Sequence, residues 1–398
     1  MTSRRTLLIA GGSHSDIPLI REAKALGFRT VTTGMRPDDL GHALSDRYIQ
    51  ADYSNPDQML DVFRKVEADA ICACCNDFSA ISCAAVAERL GLPGHDSLAT
   101  SLTIHHKDRY RQFAEAHDIP TPRAFAAATL EEGLAAGREL GLPVIVKPVD
   151  LTGGKGISVA RTEAELEQSL SLALSMTRCA RIVVEQFLDG SRHGYTAFLV
   201  NRRVVFAVAD DEHYYKNPYA VSGATSPGSL TNSQLDELRA TAERVADLLQ
   251  LVDGILHVQL ICHRSRPVIL EICRRAPGDL YVDLVRHSAG VNYPEWIVRA
   301  EAGLPLDCVV PAQQQRSVTR HCIMPPRNGV LERIEIDPGV ESRMIDSLVW
   351  GRPGDVVTSY LTQKHGILFI EHATDAQRQS VSRLPELVRV CVTPEATP

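Results

Sequence analysis

Between Leu251 and Gly278 the chain reads LVDGILHVQLICHRSRPVILEICRRAPG, two apolar-rich runs (Ile255–Cys262 and Pro267–Cys273) around a basic break. This pattern predicts a β-hairpin. Strand alternation turns Leu256, Val258, Leu260 and Cys262 one way and His257 and Gln259 the other. In the second run it sends Val268, Leu270 and Ile272 to the core and leaves Glu271, Cys273 and Arg275 opposite. A hairpin symmetrical about Ser265 sets Gln259 across from Glu271, because antiparallel partners keep a constant index sum. One polar face then gathers a carboxylate, an amide oxygen, an imidazole and a guanidinium. Such a set suits a hard cation, since Mg²⁺ takes oxygen ligands and is usually held by one or two protein groups together with substrate phosphates. A solvated hairpin edge would carry the same letters, so the neighbouring stretches decide.

Those stretches supply cations and a glycine-rich loop. A helix beginning near His106-Lys107-Asp108 runs to Ala116 and stops before Ile119-Pro120-Thr121-Pro122, which reads as a domain junction. A helix over Leu130–Leu140 precedes the strand Pro143–Pro148, which carries Lys147 near its end. Next come Asp150-Leu151-Thr152-Gly153-Gly154-Lys155-Gly156-Ile157, a loop between apolar runs whose backbone amides can close over phosphates. The Walker spacing is absent. The run Ile182–Gly190 follows, then an irregular polar and aromatic stretch, 210–228, and an amphipathic helix marked by Leu235, Leu238, Ala242, Val245 and Leu249, which belongs to the core.

Before residue 100, strands and helices alternate: Thr6–Ala10, Ile17–Leu26, Thr30–Thr33, Pro56–Val66, Ala70–Cys75 and Phe78–Leu90. Alternation of this kind implies an α/β, doubly wound parallel sheet. Asn55-Pro56 is a cap followed by an N1 proline. The Gly11-Gly12-Ser13-His14 turn lacks the G-x-G-x-x-G fingerprint, which argues against a dinucleotide site. That turn and Cys75-Asn76-Asp77 sit where such sheets hold small substrates, or they simply punctuate strand and helix. From about residue 306, strand-like runs at Ser317–Met324, Gly329–Ile336 and Gly366–His372 read as a small α+β cap.

In this order and rough spacing the pieces resemble the ATP-grasp superfamily of carboxylate-amine ligases, including L-amino-acid ligases and biotin carboxylase. The resemblance covers about residues 105–305 and loosely the whole chain. It implies an N-terminal Rossmann-like pre-ATP-grasp domain over 1–100, a two-lobed ATP-grasp domain over 101–305 and a C-terminal α+β subdomain over 306–398. It implies ATP and Mg²⁺ (or Mn²⁺) as cofactors, with Lys107, Lys147, Thr152, Gly153, Gly154, Lys155 and Gly156 on the triphosphate. Glu185, Gln186, Phe187 and Leu188 would form the linker that grips adenine, and His193 would lie near ribose and phosphates. Glu271 and Gln259 would hold the metal, and Arg275, with Arg274, would bind the donor carboxylate. His213, Tyr215 and Lys216 would line a loop over the acceptor. Two residues depart from the family pattern: Gln259 stands where glutamate is usual, and Cys273 where asparagine is usual.

The implied activity is an ADP-forming C–N ligase that makes an acyl phosphate from a small-molecule carboxylate, amino acids being the economical choice, and passes it to an amine. A nucleotide-binding protein that has lost catalysis and a bicarbonate-using carboxylase are the alternatives. A homodimer accords with many relatives.

Composition agrees with a soluble enzyme: 398 residues, 44% hydrophobic, 23% charged. A net charge of -7 and the absence of a basic tail argue against a nucleic-acid groove. The ten cysteines fall largely inside apolar runs, without the paired spacing of zinc sites, which points to a reducing, cytoplasmic setting. Arg4-Arg5 precedes an apolar run too short for an export signal, and no span reaches membrane length.

Overall fold

The computed structural model describes residues 4–151, 153–312 and 315–393. The chain forms two compact units, the first made of Met1–Ala207, Leu230–Asp283 and Asn292–Pro311, the second of Val208–Ser229, Leu284–Val291 and Ala312–Pro398.

In the first unit a four-stranded parallel sheet runs in the order Arg47–Gln50, Arg29–Gly34, Thr6–Ala10, Ala70–Ala73. The strand Thr6–Ala10 is buried along its whole length, as expected of a central parallel strand covered on both faces. Helix Pro56–Lys65 starts as its sequence dictates: the Asn55 side chain accepts from the Asp57 and Gln58 amides, and Pro56 occupies the first turn. A second, antiparallel sheet orders Ala124–Ala127, Ile182–Gln186, Val144–Pro148 and Ser158–Ala160. Helices Leu130–Leu140 and Glu163–Met176 cover it through a core of Val144, Val146, Leu166, Leu170, Ile182 and Val184. The third set orders Arg266–Cys273, Gly254–His263, Ser191–Val200 and, up to Ala207, the strand Arg203–His213. Phe198 and Phe206 from these strands meet Tyr293 and Trp296 of helix Tyr293–Glu301, with ring centroids 5.1 to 6.1 Å apart.

The second unit carries the antiparallel strands Gly223–Ser226, Val318–Ile323, Gly366–Glu371 and Met344–Val349, and a three-stranded sheet of Val356–Val357, Gly329–Ile336 and Val388–Thr393. Its core includes Ile323, Leu331, Leu368, Ile370, Val388 and Val390. The second unit thus draws on strands well before residue 306. Gly223–Ser226 pairs with Val318–Ile323, a contact across roughly a hundred residues that no local pattern announces.

Candidate active site

The hairpin turns at Arg264 and Ser265, both with positive φ (49° and 65°), the backbone of a tight two-residue connection. Near the turn Cys262 faces Pro267, Ile261 faces Val268 and Leu260 faces Ile269. A bulge then adds one residue to the second strand, and Gln259 faces Glu271. The expected pairing is thus found, but symmetry about Ser265 is not its cause. The turn alone would offset the register by one, and the bulge at Leu270 restores it. The bulge also corrects the core assignment: Ile269 and Ile272 are buried at 3% and 2% exposure, whereas Val268 and Leu270 are half-buried.

Lys107 opens helix Lys107–Ala116, and its ammonium donates to the Leu151 carbonyl at 2.9 Å while lying 3.7 Å from Glu271 Oε2. Leu151 belongs to the loop that joins Val144–Pro148 to its antiparallel partner Ser158–Ala160. Gly153, Gly154 and Gly156 hold φ of 68°, 74° and 70°, the left-handed region that glycine enters without strain. A Cβ at Gly156 would also meet Pro148 Cγ at 2.8 Å. Asp150 anchors the base of the loop by accepting from Thr177 Oγ1 and the Arg178 amide, each at 2.9 Å. Lys155 is exposed, and Thr152 lies outside the described residues.

Lys147 is buried and donates to Glu185 Oε2 at 2.6 Å. The other Glu185 oxygen lies 2.9 Å from Arg111 Nη2, which also donates to the Leu270 carbonyl at 2.7 Å. Burial would raise the Glu185 carboxyl, yet Arg111 and Lys147 outweigh it and hold it at about 2. Burial pushes Lys147 downward, with Glu185 opposing. The carboxylate of Glu185 is fully enclosed and serves to orient Lys147. Its side chain is thus taken up inside the sheet, unlike the linker role expected for it, and the run Gln186, Phe187, Leu188 follows it. There the Phe187 amide donates to Pro143 at 3.3 Å, and Arg161 lies 5.4 Å over the Phe187 ring. Gly190 ends the linker against the hairpin, where a Cβ would sit 2.1 Å from the Cys262 carbonyl.

Two expected residues are placed elsewhere. His193 pairs with Leu260 across neighbouring strands, whereas Gln259 pairs with Gly194, so alternation puts His193 on the face opposite Gln259. Its Nε2 lies 2.7 Å from Ser191 Oγ. Arg274 donates from Nε to Asp96 at 2.8 Å, from Nη2 to the Val252 carbonyl at 2.6 Å and from Nη1 to Ile255. With all three nitrogens committed, it braces the strands rather than meeting a substrate carboxylate.

Arg275 points away from Arg274 and donates from Nε to Asp77 Oδ1 at 2.8 Å. Asp77 Oδ1 also lies 3.1 Å from His105 Nδ1. Sequence reasoning missed Arg111 and His105 altogether and named Asp77 only as part of a turn. The same neighbourhood receives the first turn of the chain, since Ser15 Oγ accepts from the Asp279 amide at 2.8 Å and Asp16 accepts from the Cys75 amide at 2.9 Å. The glycine turn and the Cys75-Asn76-Asp77 turn therefore converge on the end of the hairpin. Gly11 is required for this, because a Cβ there would meet Cys74 Cβ at 2.2 Å.

His213 and Tyr215 belong to the second unit. Their rings stack with centroids 6.5 Å apart, His213 Nε2 lies 2.8 Å from Thr225 Oγ1, and Tyr215 packs on His321 at 5.3 Å. Burial pushes His213 down to about 4 and His321 to about 3. Lys216, next in sequence, is exposed.

Among the described residues no group of three or more His, Cys, Asp or Glu side chains gathers. Glu271 beside Gln259 is an oxygen-only donor pair, which fits an ion that completes its shell with water and substrate phosphate. Residues 106–282, which contain Lys107, Arg111, Lys147, Glu185, the glycine-rich loop and the hairpin, match the family model for the carbamoyl-phosphate synthase L chain, ATP binding domain. By that match this segment is an ATP-binding domain of the ATP-grasp type. Within it Lys107 links the glycine-rich loop, through Leu151, to the hairpin carboxylate Glu271.

Other likenesses agree. The chain is 25% identical over 279 residues to the uncharacterized protein y4rH of Sinorhizobium fredii, covering 68% of this chain and 56% of that protein. It is 26% identical over 406 residues to a formate-dependent phosphoribosylglycinamide formyltransferase of Burkholderia cenocepacia, covering 97% and 96%. In fold it is similar to an L-amino acid ligase from Bacillus licheniformis, with a TM-score of 0.81, 18% identity and coverage of 98% and 100%. No helix among the described residues is long and apolar enough to cross a membrane.

Proposed function

We propose that this ATP-grasp chain activates the carboxylate of a small molecule, an amino acid in the simplest case, as an acyl phosphate and transfers the acyl group to an amine, releasing ADP and phosphate. The observation that carries the reading is the meeting of Lys107 with Glu271, 3.7 Å apart, at the position where Gln259 faces Glu271 across the hairpin. A cation and an oxygen-donor pair side by side are what a Mg²⁺-triphosphate requires.

Each residue then has a task. Lys107 and Lys147 neutralise phosphate oxygens, and Glu185 with Arg111 fixes Lys147 so that its charge costs no reorganisation at the moment of transfer. Gly153, Lys155 and Gly156 close over the triphosphate and exclude water, which would otherwise hydrolyse the acyl phosphate. Glu271 and Gln259 would hold Mg²⁺, which supplies charge neutralisation between the phosphates. Arg275 binds the donor carboxylate and afterwards the tetrahedral oxyanion, a planar guanidinium suiting both. The carboxylate oxygen attacks the γ-phosphorus as ADP leaves. The amine then attacks the acyl carbon, phosphate leaves, and the amine proton is lost to form the amide.

Likeness in fold to the L-amino acid ligase supports amino acids as substrates. A second reading, with formate as the donor, is favoured by the end-to-end likeness to the formyltransferase. Release of ADP and phosphate from MgATP, assayed with single amino acids, amino-acid pairs, formate and bicarbonate and with products weighed by mass spectrometry, separates them. A condensation product with loss of water, dependent on two amino acids, establishes the first reading. Turnover with formate alone establishes the second, and ATP binding without turnover under every condition overturns both.

A further inference from the structure

The guanidinium assigned to the donor carboxylate is itself held. Arg275 donates from Nε to Asp77 and from Nη1 to the Ala276 carbonyl at 3.2 Å, and Nη2 has no partner among the described residues. Asp77 opens helix Asp77–Leu90 and His105 ends helix Leu98–His105, so two helices of the first unit deliver one carboxylate and one imidazole to the same point. All three side chains are nearly enclosed, at 11%, 12% and 1% exposure for Arg275, Asp77 and His105. Behind them, His105 Nε2 is buried without a protein partner. It lines a cavity of about 30 Å³, measured as space for the centre of a water molecule, together with Glu301 and Arg274. One or two waters fit such a volume.

We propose that Asp77 and His105 are positioning residues for the donor substrate, fixing the plane of Arg275 so that its Nη2 edge meets the carboxylate. The proposal rests on the reading of Arg275 given above. A free arginine side chain samples many rotamers, and anchoring Nε leaves one orientation of the fork. Asp77 does this only while ionised. Burial works against ionisation, but the charge of Arg275 and the His105 hydrogen bond keep the carboxyl well below its usual range. His105 must then donate from Nδ1, which leaves a lone pair on Nε2 for a water in the cavity. The cavity is thus what allows this tautomer.

The test uses the full chain with saturating MgATP, with formate, acetate and each of the twenty amino acids as the varied carboxylate. Asp77→Asn and His105→Gln should raise KM for the carboxylate that supports turnover by roughly tenfold or more, with KM for ATP and far-UV circular dichroism unchanged. His105→Asn should stay close to wild type, because its amide nitrogen stands where Nδ1 stood, a rescue that a merely structural role would not produce. Arg275→Gln belongs in the same series. If Arg275→Gln raises that KM and Asp77→Asn and His105→Gln do not, the positioning role is overturned while the Arg275 assignment survives. If Arg275→Gln leaves it unchanged, the assignment itself fails, and the proposal with it. A readout that needs neither variant nor turnover is the ¹⁵N spectrum of His105 in the wild-type protein. A proton on Nδ1 is expected, and a tautomer with Nδ1 bare overturns the proposal.

Discussion

Replacing Glu301 by glutamine should stabilise the protein at pH 8 and do little at pH 4.5. Glu301 is buried on helix Tyr293–Glu301, its Oε2 accepts the Ala73 amide at 2.5 Å, and its Oε1 is buried without a hydrogen-bond partner. Burial pushes its carboxyl up to about 7. The Ala73 amide, the Cys72 thiol and Arg274 oppose that rise, and Asp96 reinforces it. An unfolded glutamate ionises near 4.5. Between those values the folded chain keeps a proton that the unfolded chain has lost, so this group's contribution to stability falls as pH rises from 4.5 to 7 and its full cost is present above 7. At 1.36 kcal/mol per pH unit the gap is about 3 kcal/mol, and cavity water would reduce it.

Glutamine keeps the shape and the acceptor for Ala73 but carries no charge, so the variant escapes that cost. The assay is urea or thermal unfolding of wild type and Glu301→Gln from pH 4.5 to 8.5, with the difference in stability plotted against pH. The difference matters because His213 and His372, both pushed down to about 4 chiefly by burial, make stability rise with pH between about 4 and 6.5 in either protein and cancel on subtraction. The difference should grow in favour of the variant by about 3 kcal/mol, or roughly 6–12 °C in the melting transition of the first unit. A difference flat to within about 0.5 kcal/mol, or a variant that loses ground as pH rises, would refute the reasoning.

Three further outcomes follow from the site. Glu271→Gln should abolish ADP release while leaving the melting temperature near wild type, since this carboxylate is a third exposed; normal ADP release would remove Glu271 from the metal. Gln259→Glu adds a charge beside Glu271 and should lower the Mg²⁺ concentration for half-maximal turnover several-fold, roughly 0.5–1 kcal/mol, as read from a Mg²⁺ titration; an unchanged titration would place the ion elsewhere. Gly190→Ala forces a Cβ to within 2.1 Å of the Cys262 carbonyl and should weaken ATP binding by shifting the linker, which calorimetric titration with ATP would show. Wild-type affinity would mean that the linker does not set the nucleotide site.

Much of this was legible from spacing. The helices at 56 and 130, the lysine strand, the glycine loop and the hairpin are written in local pattern, and their contents follow from it. Register was legible only by compensation: the turn at Arg264–Ser265 and the bulge at Leu270 each displace the pairing, in opposite directions, and neither has an Asn-Gly or a glycine to announce it. Arg274 and Arg275 look alike as a dipeptide. Only the fold shows that one is saturated by Asp96 and two carbonyls while the other is aimed by Asp77, 198 residues away in sequence. The helix Leu98–His105 escaped notice because the polar and apolar residues of LATSLTIH are not sorted onto separate faces, and with it went His105. Arg111 lies four residues past Lys107, and its role appears only when Glu185, from a strand beyond residue 180, is brought to it.

The two departures from the family pattern carry unequal weight once their surroundings are known. Cys273 pairs with His257, is 3% exposed and donates to the Arg275 carbonyl at 3.7 Å, and burial pushes its thiol up to about 12. It lies buried on the same face of the hairpin as Glu271, as a small apolar group, so replacing asparagine there removes a hydrogen-bonding side chain without adding a reactive one. Gln259 is different, because it faces Glu271 directly, and under the proposed function any loss of charge there would fall on the metal. Its amide still offers an oxygen of the kind Mg²⁺ accepts, and Lys107 beside Glu271 already lowers the negative charge of the pair. A second carboxylate would attract the ion more strongly, but it would also bring another negative charge toward the substrate phosphates. A neutral ligand therefore trades metal affinity for weaker repulsion of the nucleotide. On this argument Gln259→Glu should tighten Mg²⁺ in the absence of ATP by more than it does in its presence, and equal tightening in both would show that the ion does not bridge Gln259 and the phosphates.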